Sequence, residues 1–143
     1  MTHFKNLAEA LGCGVATMPD AKGLFNESHQ LYMGTYWAGL SSPHVINVVE
    51  NSDLMIFAGA VLNDYTTVGW TALINPKTCV EMFPHKVVVC GKLYMHVMLP
   101  DLLMALSVRA TKKEVSINLY VHCSSVLLMM HNCEAPEERL LRI

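Results

Sequence analysis

Charge is what this sequence has least of: 15% of its 143 residues are Asp, Glu, Lys or Arg, and the net charge is -2. Lys86 and Lys92, then Lys112 and Lys113, are scattered without interleaved aromatics, so no basic stripe for nucleic acid is present. An uninterrupted apolar run is also missing. The longest near-apolar stretch, Val115 to Met130, is broken by Asn118, His122, Cys123, Ser124 and Ser125, too short and too polar to span a membrane. Met1 to Asn6 lacks a charged segment followed by an apolar one, so no secretory leader is read and a cytoplasmic location is expected. Paired cysteine motifs are absent too. Cys13, Cys79, Cys90, Cys123 and Cys133 are odd in number and show no C-x-x-C spacing, the pattern of buried or idle thiols. His122, Cys123, His131 and Cys133 are residue types that zinc accepts, but adjacent His-Cys ligands without a paired knuckle match no common zinc spacing, and no metal site is expected. No G-x-S-x-G elbow surrounds Ser41 or Ser42, and the seven histidines form no motif, with His44 and His85 read as surface imidazoles.

What is present is core-forming material. Hydrophobic residues make up 52% of the chain, enough for one buried core and too short a chain for a second. Asn6–Leu11 reads as a short helix closed by Gly12, and Cys13–Met18 as a buried strand stopped by Pro19. Ser41-Ser42-Pro43 opens the clearest helix, with a serine cap, proline at the first helical position, and Val45, Val48 and Val49 on one side. Leu54–Ala58, Thr78–Phe83 and His85–Gly91 read as further strands, and Pro100–Leu106 as a helix. Continuous apolar strands alternating with helices argue for an α/β fold with a mainly parallel sheet.

Gly12-Cys13-Gly14 superficially suggests a dinucleotide fingerprint, but here a helix precedes the glycines and a strand follows, the reverse of what cradling a pyrophosphate needs. The candidate ligand-binding or domain-contact loop is Gly59, Asn63, Asp64, Tyr65, Thr66 and Thr67, which follows the apolar strand 54–58. Loops at such strand ends bind ligands or neighbouring domains, while Asn and Asp also serve as simple turn formers. Trp37 and Trp70 are either contact residues or packing anchors. No catalytic residue and no confident cofactor ligand emerge.

Three segments, 12–23, 34–43 and 57–71, carry a family likeness in this order and spacing. Together they resemble the central domain of the thiamine-diphosphate-dependent pyruvate decarboxylase family of plants and microbes, over about Leu7 to Leu106. The matching residues are Ala21-Lys22-Gly23, Gly34-Thr35-Tyr36-Trp37, Asn63-Asp64-Tyr65-Thr66, Val68-Gly69 and Val87. The resemblance implies a Rossmann-like parallel sheet flanked by helices, truncated here: residues 1–110 as the central domain without its first strand, and 111–143 as a divergent tail of unknown fold. A sheet lacking that strand would expose an unpaired edge or groove. The resemblance further implies a structural and regulatory role beside two other domains. One of those holds the pyrimidine of thiamine diphosphate, and the other binds the diphosphate and magnesium. The family's homo-oligomers are dimers of dimers. The glutamate-histidine pairs and the Gly-Asp-Gly magnesium segment of those domains are absent here, so no cofactor is expected on this chain alone. The expectation is therefore a fragment of a decarboxylase converting pyruvate to acetaldehyde and carbon dioxide in the whole enzyme. Related decarboxylases of indole-3-pyruvate and phenylpyruvate share the design. Alternatives are a stand-alone nucleotide-binding module for ADP or FAD, nucleotides that the same domain holds in some relatives, or a ligand-free assembly module.

Overall fold

The computed structural model describes residues 2–110 and 126–130. Helix α1 spans Thr2–Leu11 and buries Phe4, Leu7 and Ala8 along one side. Gly12 ends it at φ 64°, and its N–H donates to the Ala8 carbonyl at 2.8 Å, the left-handed cap that only glycine adopts without steric cost. Strand β1 (Gly14–Thr17) follows directly. A single 3₁₀ turn, Pro19–Ala21, closes the strand where proline blocks its extension.

Strand β2, Tyr32–Thr35, lies at one edge of the sheet and is half-buried along its length. Its composition is too mixed to read as a strand. Gly34 there has φ 134°, and a Cβ at that position would lie 2.9 Å from Val45 Cγ2, so glycine lets helix α2 (Pro43–Glu50) close on the strand. The start of α2 corrects one expectation. Ser42 occupies the cap position, yet its side chain makes no capping bond. Ser42, Pro43 and His44 are exposed. Ser41 instead holds the preceding turn: its Oγ accepts from the Trp37 N–H at 2.5 Å and donates to the Ala38 carbonyl at 2.8 Å.

Strands β3 (Leu54–Ala58), β4 (Cys79–Phe83), β5 (Lys86–Val89) and β6 (Lys92–Met95) precede helix α3 (Leu99–Arg109), and strand β7 is Val126–Met130. All seven form one sheet in the order β2-β1-β7-β3-β4-β5-β6. The pairs β1–β2, β1–β7, β3–β4 and β3–β7 are parallel. The pairs β4–β5 and β5–β6 are antiparallel, so the mainly parallel sheet expected from the sequence carries an antiparallel edge. The physical reason is the length of the connections. Only Pro84-His85 and Cys90-Gly91 separate these strands, and a two-residue loop cannot carry a crossover. β7 comes from the region read in the sequence as a divergent tail and is paired on both sides.

Side chains alternate along β1 and β3, and both faces of these two strands are buried. Val15, Ile56, Ala58, Met82 and Val87 pack with Phe4, Leu7 and Ala8 of α1 and Leu103 of α3. Ala16, Met55, Phe57 and Cys79 pack on the opposite side with Val45 and Val49 of α2 and with Tyr36. Two-sided burial is why β1 and β3 read as continuous apolar runs instead of alternating ones. Among the described residues no helix is long and apolar enough to cross a membrane.

Candidate functional site

Strand β3 leaves the core at Gly59, whose φ of 77° turns the chain across the end of the sheet. The Gly59 N–H donates to the Met82 carbonyl at 2.6 Å, tying the turn to β4. The loop that follows is built by its own polar groups. Asn63 and Thr66 bond reciprocally: the Asn63 N–H donates to Thr66 Oγ1 at 2.9 Å, and the Thr66 N–H donates to Asn63 Oδ1 at 2.8 Å. Thr66 Oγ1 donates in turn to the Val61 carbonyl at 2.9 Å, and Thr67 Oγ1 to the Asn63 carbonyl at 2.7 Å. Asp64 Oδ1 accepts from the Tyr65 N–H at 3.0 Å. Thr66 and Thr67 are buried, whereas Asn63, Asp64 and Tyr65 are exposed. All six candidate residues thus lie on one loop at the end of β3, and the buried hydroxyls among them bond backbone within that loop.

Val68, Gly69 and Trp70 all have positive φ, at 51°, 68° and 64°. A β-branched residue in this region is an outlier, held here by the Gly69 N–H donating to the Asp64 carbonyl at 2.6 Å and the Trp70 N–H donating to Thr67 Oγ1 at 3.0 Å. The left-handed turn delivers Trp70 to the surface, where it is 67% exposed. Trp37 behaves differently. It is half-buried, its Nε1–H donates to the Tyr65 carbonyl at 2.9 Å, and its ring lies 5.4 Å from the Tyr65 ring. Trp37 therefore joins the segment 34–43 to the 59–71 loop, and Trp70 is free of that packing role.

Leu40, Val61, Tyr65, Trp70 and Leu73 are all large, apolar and exposed, and they all sit on these two loops. Leu40, Val61 and Leu73 carry no signal in the sequence, since isolated apolar residues in loops are ordinary. Glu50 also escapes a sequence reading. Its Oε1 accepts from the Tyr36 hydroxyl at 2.9 Å and from the Leu73 N–H at 3.3 Å, bracing the loop against α2. Burial, followed by the nearby Glu50 carboxylate, holds the Tyr36 phenol well above the ordinary tyrosine range.

The remaining candidates are dispersed. His29 Nδ1 accepts from the Leu31 N–H at 3.2 Å, so Nε2 carries the proton and faces Glu9 Oε1 at 3.1 Å. That bond to His29 is the first cause holding the Glu9 carboxyl below its usual range. His85 contacts Met98 Sδ in the turn after β4. Cys13 and Cys79 are buried and Cys90 is exposed, all as free thiols. His122, Cys123, His131 and Cys133 lie outside the described residues. Among the described residues no three His, Cys, Asp or Glu side chains gather where a metal ion could sit.

Comparison with known proteins places these features among relatives. Residues 1–99 match the family described as thiamine pyrophosphate enzyme, central domain. The chain is 39% identical over 118 residues to a probable pyruvate decarboxylase of Schizosaccharomyces pombe, covering 82% of this chain and 21% of that protein. It is 36% identical over 135 residues to pyruvate decarboxylase 3 of Oryza sativa subsp. indica, covering 94% of this chain and 23% of the relative. With pyruvate decarboxylase 2 of Arabidopsis thaliana it shares 33% identity over 140 residues, 97% of this chain and 21% of the relative. The chain thus spans about a fifth of the length of the curated relatives it matches.

Proposed function

This chain belongs to the thiamine pyrophosphate enzyme central-domain family, and on that premise we propose that it is a structural contact domain of a pyruvate decarboxylase and not a catalyst by itself. The observation that carries this reading is the division of labour in the 59–73 loop. Its buried threonine hydroxyls and the Asn63 amide oxygen bond the loop's own backbone, while Tyr65, Trp70 and Leu73 face outward. A ligand crevice presents polar groups to its guest, whereas a surface for a neighbouring domain presents aromatic and aliphatic side chains on a rigid frame. In the whole enzyme the pyrimidine- and diphosphate-binding domains would hold thiamine diphosphate and magnesium, and the cofactor would supply the electron sink for converting pyruvate to acetaldehyde and carbon dioxide. The loop cluster of Gly59 and Asn63–Thr67 is the proposed face toward those domains, in a cytoplasmic homo-oligomer.

The purified chain, assayed with pyruvate, thiamine diphosphate and magnesium, is expected to form no acetaldehyde above a protein-free control. Turnover would overturn the non-catalytic reading. The contact reading is tested by mixing the chain with the separately expressed flanking domains of a relative. Binding that weakens at least tenfold in Trp70→Ala supports it, and equal binding by both chains refutes it. Retention of ADP or FAD by the purified chain would instead favour a nucleotide-binding module.

A further inference from the structure

The sheet has a discontinuity in sequence at its middle. β1 pairs with β2 on one side and β7 on the other, and β3 pairs with β4 and β7. No described strand joins β1 to β3 directly. With β7 lifted out, Gly14–Thr17 and Leu54–Ala58 would face each other across a gap about 10 Å wide, twice the spacing of neighbouring strands. Both lips would then present unpaired amides and carbonyls inside a structure whose two faces are already covered by α1, α3 and α2. Such a gap is costly when empty, because a buried backbone group without a partner has lost its hydrogen bond to water and gained none.

The gap also defines what can fill it. The parallel register to both lips requires an extended segment of about five residues running in the same direction as β1 and β3. Burial on both faces demands a continuous apolar run without proline. Val126-Leu127-Leu128-Met129-Met130 meets each condition, and residues 110–125, sixteen in number, connect it to α3. Register pairs run from Gly14↔Leu127 to Thr17↔Met130 on one side and from Leu54↔Val126 to Ala58↔Met130 on the other.

We propose that the gap between β1 and β3 is a strand-acceptor site for an extended apolar segment, that Val126–Met130 fills it as a tethered ligand, and that the same segment of a second copy can replace it. Contacts are identical in the two arrangements, so the tether alone decides between them. A connection of this length supplies an effective concentration of order millimolar, which keeps the strand in its own chain in dilute solution and permits exchange between copies near that concentration.

The test uses the full chain and a synthetic peptide of residues 124–132. Hydrogen exchange of the wild type should show the amides of 126–130 protected together with those of 14–17 and 54–58. Leu128→Pro removes a ladder donor from an interior strand and so vacates the site. This variant should take up the peptide at micromolar concentration and regain protection in β1 and β3. Wild type should bind the same peptide roughly a thousandfold more weakly, because its own strand competes. If Leu128→Pro fails to fold alone, refolding on addition of peptide counts for the proposal and no refolding counts against it. Light and heavy-isotope wild-type chains mixed near millimolar concentration should give mixed dimers by native mass spectrometry. Free exchange of the 126–130 amides while β1 and β3 stay protected would overturn the proposal. Equal peptide binding by both chains, or the absence of mixed dimers, would do the same.

Discussion

Thr66 shows how much one side chain can organise. Its hydroxyl donates to the Val61 carbonyl and accepts from the Asn63 N–H, both at 2.9 Å, inside a loop where the residue is buried. Thr66→Val keeps the shape and strands both backbone partners, so it should lower unfolding stability in urea by about 1–3 kcal/mol. Thr71→Val, which removes one bond from an exposed hydroxyl to the Thr67 carbonyl, should fall within about 0.5 kcal/mol of wild type. The thiols divide in a similar way. Burial pushes Cys13 up to about 12, and burial followed by the Glu81 carboxylate pushes Cys79 up to about 12. Iodoacetamide at pH 8 should therefore modify Cys90 in the folded chain and spare Cys13 and Cys79, read by peptide mass mapping. Both buried thiols stay protonated in the folded state after the unfolded chain has begun to lose its protons near pH 9. The unfolded state thus binds fewer protons above that pH, and stability should be full below pH 9 and decline from there toward pH 12. A flat thermal midpoint across that window would refute this. At this scale the sequence says which residues are polar. It does not say that Asn63 and Thr66 would bond each other, because such reciprocity depends on loop geometry set by Gly59 and the end of β3.

Among the elements, those buried on both faces were the easiest to read. Leu54–Ala58 is continuous and apolar because both of its faces meet a core, and the strand expectation coincides with β3 residue for residue. Val45 and Val49 likewise mark the buried side of α2. β2 and β6 were missed for the opposite reason. Lys92–Met95 is exposed along its whole length, so it shows no alternation, and its pairing with β5 is fixed by the Cys90-Gly91 turn. Both turn residues have positive φ, at 49° and 81°, the requirement of the type I′ hairpin. Cysteine tolerates that conformation poorly, and asparagine tolerates it well. Cys90→Asn should raise stability by about 0.5–1 kcal/mol, measured as a higher thermal midpoint, and an unchanged or lower midpoint would count against the turn assignment. The antiparallel edge was hidden from the sequence because direction depends on connection length, and the short strand after Gly91 leaves its apolar Leu93 and Met95 exposed.

For the molecule as a whole, one sheet separates two cores, and Phe57 is among the largest fully buried side chains on the α2 face. Phe57→Ala should cost about 3–5 kcal/mol, a large share of the ~5–15 kcal/mol that holds a domain together. Because Ile56 and Ala58 of the same strand serve the α1–α3 face, loss of Phe57 should loosen both sides in a single transition. Two separate urea transitions would show instead that the faces unfold independently. The α/β class was legible from alternating segments, and helices on both faces were implied by the family likeness. The order of strands was not, because pairing between residues far apart leaves no local pattern. That order has a consequence for biosynthesis. The described strand made last, Val126–Met130, is an interior one, so β1 and β3 leave the ribosome long before the partner that lies between them. Until it arrives, two strands with open hydrogen-bonding edges are exposed to other nascent chains. The growing polypeptide therefore depends on chaperone shielding more than one whose last-made strand completes an outer edge.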